Sequence, residues 1–261
     1  MSLPIALQLY TVRDALKEDF EATLATVAEI GYRFVEFAGF YNRSPEQVLE
    51  ICSRLGLKGC ASHHGIKDFE SGIDGLIETA GTLGYEYLSL AFLPKEWRSV
   101  EGYRKLAAIL RQAGKEASEH GIGVLYHNHD FELEPLEDGR TGMDILASEL
   151  EGANVGFELD LCWVHLAGHD PVAWVRRLSG RLPILHVKDA PEPGSDSGRR
   201  FTEVGTGSVN LGGALKAASG AGVQYLVVEQ DSDWQGSPLD SARTSYVNLV
   251  TMLQRTGTAP C

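Results

Sequence analysis

Eight short apolar segments recur along the chain, at 4–9, 33–38, 58–62, 86–92, 122–129, 154–160, 182–188 and 224–230, and longer amphipathic stretches separate them. Short apolar runs between turn signals read as buried strands, and apolar residues at three- and four-residue spacing read as helices. The helices are expected at 18–30, 44–56, 70–83, 99–120, 142–151, 171–179, 210–221 and 239–254. In the first, Phe20, Leu24, Val27 and Ile30 share a face, and Gly31 stops it. Ser44-Pro-Glu-Gln47 opens the second with an N-cap, a proline at the first position and a reciprocal capping partner, and Gly56 closes it.

Strand-then-helix units repeated without a break in composition predict an α/β fold: a single (β/α)8 barrel domain over residues 1–261, with 255–261 a loose tail. An open doubly wound sheet would carry a glycine fingerprint after its first strand, and Leu9-Tyr-Thr-Val-Arg-Asp14 has no glycine. Pro191–Arg200 is the longest irregular stretch; following the seventh strand, it is a candidate lid over the barrel mouth.

The last four strands carry the candidate chemistry. Side chains alternate along a strand, so Glu158 and Asp160 oppose Val155, Phe157 and Leu159, His186 and Lys188 oppose Leu185 and Val187, and Glu229 opposes Leu226 and Val228. In a parallel barrel the C-terminal strand ends face one mouth. Asp160, His186 and Glu229 would meet there as a mixed oxygen and nitrogen donor set for one divalent ion: manganese, cobalt, magnesium or zinc. His127 is read as the fourth ligand or an acid/base group, and Glu158, one layer deeper, as support for the cation. Lys188 would stabilise oxyanion charge. Glu36, Gln8, Tyr10, His63, His129 and Trp163 also fall near strand ends, where hydroxyl-binding groups among aromatic planes suit a sugar, and Glu158 is counted with them as a substrate contact. Gly205-Thr-Gly-Ser-Val-Asn210 reads either as a phosphate cradle or as a tight turn capped by Asn210. Glu132 either reaches the mouth or is a solvated loop carboxylate.

A net charge of −13 argues against nucleic acid or an anionic membrane surface as partner. Cys52, Cys60, Cys162 and Cys261 show no paired spacing and read as reduced thiols, with Cys261 exposed. No apolar run has membrane-spanning length and no signal pattern opens the chain, so the expected location is cytoplasmic; a homo-oligomer is compatible with the sequence.

Gln8-Leu-Tyr-Thr-Val-Arg13, Tyr126-His-Asn-His-Asp-Phe-Glu132, Phe157-Glu-Leu-Asp-Leu161, His186-Val-Lys-Asp189, Phe201-Thr-Glu-Val-Gly205 and Val228-Glu-Gln-Asp231 resemble, in order, the sugar phosphate isomerase/epimerase group of the xylose-isomerase-like TIM barrels. The resemblance implies one divalent metal held by an acid on strand five, an Asp on strand six, a His on strand seven and a Glu on strand eight. The last three map onto Asp160, His186 and Glu229, whereas His127 stands where many relatives carry glutamate. It further implies isomerisation or epimerisation of a sugar, sugar phosphate or keto sugar through an enediolate, with Glu229 or His127 moving the proton. Dehydration or elimination on an inosose or 3-keto glycoside is the alternative chemistry. A sugar-binding barrel without turnover is the alternative of another class. Ordinary imidazoles at 127 and 129 predict activity that falls below about pH 6.

Overall fold

A computed structural model describes residues 3–192 and 200–255. Its strands are β1 (Ile5–Gln8), β2 (Phe34–Phe37), β3 (Lys58–Gly65), β4 (Tyr87–Phe92), β5 (Gly123–His127), β6 (Val155–Asp160), β7 (Ile184–Val187) and β8 (Tyr225–Val228). All are parallel and pair in chain order, and β8 returns to β1 to close the barrel. The expected fold is therefore the observed one. Most of the candidate lid, residues 193–199, and the tail from 256, Cys261 included, lie outside the described residues. Cys52, Cys60 and Cys162 are free and buried. No described helix is long and apolar enough to cross a membrane.

Local signals set the element ends. Ser44 and Gln47 form the reciprocal cap of helix Pro45–Leu55, and Gly56 takes the left-handed conformation after it. Two expected helices start later than read, at Phe20 and Asp74, each preceded by a short additional helix. Asp19, extended at φ −147°, accepts the Ala22 N–H and starts a new helix at Phe20, separating it from Arg13–Glu18. Gly72, at φ +94°, parts Ile66–Glu70 from Asp74–Leu83. β5 ends at His127, before the expected 129. An additional helix, Leu161–Leu166, starts directly on β6 because Asp160 Oδ1 accepts the N–H groups of Cys162 and Trp163.

Alternation divides the core into two parts. Leu7, Val35, Leu185, Val187, Leu226 and Val228 join the large apolar layer that the helices cover. Ala6, Ala61, Leu125, Ile184 and Val227 form a separate small cluster, with Phe34, Tyr87 and Tyr225 packed against it. Two residues onward along the same strands stand Gln8, Glu36, His63, Ser89, His127, His186 and Glu229, and Glu158 on β6 is level with His127. The barrel interior thus has an apolar lower storey and an ionisable upper one.

Candidate active site at the barrel mouth

Strand register brings the upper storey together. His127 on β5 is level with Glu158 on β6, and Asp160 is level with His186 on β7. Asn128 fastens the first pair of strand ends: its Oδ1 accepts the Asp160 N–H at 2.9 Å, and its Nδ2 donates to the carbonyls of His129 and Asp160.

His127, Asp160, His186 and Glu229 each offer a donor atom within 4.8 Å of the others, and all four are buried. A divalent cation fits this set. Asp160 uses Oδ1 for the helix cap, leaving Oδ2 buried without a hydrogen bond, 3.3 Å from Lys188 Nζ; His127 Nδ1 is likewise buried and unbonded. A buried carboxylate oxygen and a buried imidazole nitrogen that make no hydrogen bond, with Lys188 beside the first and Glu158 3.4 Å from the second, suit ligation of a cation. His63, His127, Glu158 and His186 form a second, overlapping group of the same kind.

Beneath lies a compact charge network. Glu36 Oε2 accepts from Gln8 Nε2 at 2.8 Å and lies 2.7 Å from His186 Nε2. His63 Nε2 sits 2.8 Å from Glu158 Oε1, which also touches His186 Nε2, and Ser89 donates to Glu158 Oε2. The other nitrogen of His186, Nδ1, is 3.0 Å from Glu229 Oε2. Burial opposes charge on His186, but Glu158 and Glu36 outweigh it and hold the imidazole well above its ordinary value. The same balance raises His63 to about 9. Burial, with Glu158 adding to it, raises Glu36. For Glu158, burial is overcome by His186 and His63, and its carboxyl is held well below the usual range. Lys188 lies against Glu229 and Asp231, each at 2.9 Å, and these carboxylates with Asp160 keep it charged despite full burial.

Burial lowers His127 to about 4 and takes His129 well below its ordinary value. Both therefore depart from the ordinary imidazole value on which the expected loss of activity below about pH 6 rests.

A cavity of about 660 Å³ opens above this floor. His63, His127, His129, Trp163, Lys188, Glu229 and Tyr10 line it, whereas Glu36, Glu158, Asp160 and His186 lie beneath, fully buried. Glu132 is neither at the mouth nor solvated; it is fully buried and accepts the Tyr126 O–H and the His129 N–H. The Gly205–Asn210 segment is the tight turn, with Asn210 capping helix Leu211–Ala218. Its inward N–H groups are taken by Asp189: Oδ2 accepts from Gly205 and Gly207, and Oδ1 from Val209 and Ala190. Sequence reasoning missed three contributors. Asn128 directly follows β5, Asp231 lies three residues beyond β8, and Ser89 shares the inward face of β4, so strand alternation could have found Ser89.

The xylose isomerase-like TIM barrel family model matches residues 24–247, and the chain belongs to that family. A search of curated proteins gives no match. Among solved structures, a sugar phosphate isomerase/epimerase from Parabacteroides distasonis superposes with a TM-score of 0.80 at 22% identity, covering 95% of this chain and 94% of its own. The IOLI protein, solved with a zinc atom, gives 0.75 at 16% identity, covering 97% and 99%. A probable 3-DHS dehydratase from Bacillus anthracis gives 0.72 at 14%, covering 95% and 98%.

Proposed function

We propose that this chain is a divalent-metal-dependent isomerase or epimerase that moves a proton on the carbon next to a carbonyl of a sugar or keto sugar. The observation that carries the reading is the buried His127, Asp160, His186 and Glu229 set at the floor of a ring-lined cavity. These four residues would hold the cation, which, when bound, supplies Lewis-acid polarisation of a carbonyl and its neighbouring hydroxyl. Glu229 or His127, both on the cavity wall, takes the proton. Lys188, charged and buried, faces the same space and stabilises the enediolate oxygen. Glu36 and Glu158 grip the far nitrogen of His186 and fix its ring. His63, His129 and Trp163 present groups to hydroxyls; Trp163 Nε1 and His129 Nδ1 have no hydrogen-bond partner. The family membership and the zinc bound to the IOLI protein support a metal here.

A second reading is elimination, by loss of water or an aglycone. One cavity wall offers the imidazoles of His63, His127 and His129, and the other the carboxylates of Glu229 and Asp231. Unequal groups suit a base paired with a separate acid better than two matched bases.

Incubating the manganese-loaded protein in heavy water with ketoses, keto glycosides and inososes tests both. Deuterium entering recovered sugar supports isomerisation or epimerisation, and loss of water or aglycone supports elimination. Neither change in any sugar, with metal shown to be bound, would leave a binding barrel without turnover.

A further inference from the structure

We infer that the cavity takes a neutral carbohydrate bearing a bulky ring substituent, and not a sugar phosphate; this rests on the carbohydrate reading above and narrows its substrate class.

The first observation concerns anions. The loop after β7 converges four backbone N–H groups on one point, as a phosphate site would. That point already holds the chain's own carboxylate, Asp189, at 2.9–3.1 Å from each donor. Gly207 is pressed so closely that an added Cβ would meet the Ala190 carbonyl and Asp189. An incoming phosphate has no room there and no free donor.

Among the described residues, the cations near the mouth already have partners: His63 lies against Glu158, and Arg98 donates to the Leu93 carbonyl and lies over Phe131. Lys188 is flanked by three carboxylates. Arg200 pairs with Asp130 at 2.6 Å, and Arg13 donates to the carbonyls of Tyr10 and Asp231. The cavity lining adds Asp68, Asp231 and Glu229. Beyond the ion site itself, a dianion would meet these carboxylates and no free cationic donor among the described residues.

The second observation concerns shape. Rings run without a gap from the ion site to solvent: His186 to His127 at 4.6 Å, His127 to His129 at 5.1 Å, and His129 to Phe92 at 5.5 Å between centroids. His127 is 2% exposed and Phe92 50%. Phe92 ends β4, and Tyr10, 44% exposed, follows β1 on the other side of the ring of strands. Both line the same cavity. Its volume, about 660 Å³, equals the share of roughly twenty waters, while a hexose has roughly twelve heavy atoms. With the sugar seated over the ion site, space remains in a cavity whose lining includes the exposed rings of Phe92 and Tyr10. Apolar faces there suit the flat side of an aglycone or a second sugar ring.

The test is calorimetric titration of the manganese-loaded protein with ring-locked glycosides of glucose, galactose and mannose, each as methyl, phenyl and methyl 6-phosphate forms. None carries a carbonyl, so binding is read apart from turnover. For at least one sugar, the phenyl form should bind five- to tenfold tighter than the methyl form, and the phosphate form no tighter. Phe92→Ala should abolish that preference, and Tyr10→Ala should reduce it. Both side chains are half exposed, so neither change threatens the fold. Tightest binding by a phosphate form, no phenyl preference, a preference that survives Phe92→Ala, or no binding by any glycoside would each overturn the inference. Deuterium exchange decides the reaction separately: exchange without a phenyl preference sinks only this inference, and a Phe92-dependent preference without exchange sinks only the reaction.

Discussion

Asp160 divides its carboxylate between two duties, and a single atom separates them. Oδ1 starts the Leu161–Leu166 helix, while Oδ2 faces the ion site. Asp160→Asn keeps an acceptor for the helix and should retain the fold while losing the stabilisation that added manganese gives the wild type. Asp160→Ala should lose both, with a further ~1 kcal/mol from the missing cap. Melting curves with and without metal separate the two effects. Glu132 supplies a pH test away from the ion. Burial raises its carboxyl from 4.5 to about 7. Since its folded value is raised, its contribution is fully present below about pH 4.5 and is lost as pH rises through 7. That span corresponds to ~3 kcal/mol. Glu132→Gln should therefore melt higher than the wild type at pH 8, and the gap should shrink or reverse by pH 5. Asp160, His186 and Glu229 were legible because strand alternation fixes which side chains turn inward. The depression of His127 was not, because it depends on how many rings crowd it.

At the level of elements, the sequence disclosed most where a residue type has one local job. Ser44, Gln47, Gly56 and Asn210 cap where their types require. The starts of the helices at Phe20 and Asp74 were placed too early because apolar spacing does not mark them; a side-chain cap from Asp19 sets the one, and the positive φ of Gly72 precedes the other. The β7 loop was ambiguous for a different reason: glycines that could cradle a ligand and glycines that cradle their own chain look alike until the partner is located. Asp189→Ala should remove that partner and leave four donors unpaired, lowering stability by ~2–4 kcal/mol. Phosphate in the buffer should then raise the melting temperature of the variant and leave that of the wild type unchanged.

For the molecule as a whole, eight recurring units sufficed to predict closure, because each helix must cover a strand face and the last strand has no other partner than the first. What could not be read is the degree of engagement inside, where Glu36 and Glu158 hold His186 from one side and Glu229 meets it from the other. A cation at about one hundred times its dissociation constant adds ~2.7 kcal/mol to a fold that alone can bind it. The division of the interior bears on where that gain is felt. The lower storey, around Ala61, Leu125 and Val227, is cohesive without help, whereas the upper one buries several charged groups, among them Glu36 and Asp160, whose carboxyls burial raises. Chelation should therefore quicken amide hydrogen exchange at 128–133 and 229–231 while amides at 124–125 and 226–227 stay protected, so that the open end softens over a barrel whose base remains rigid.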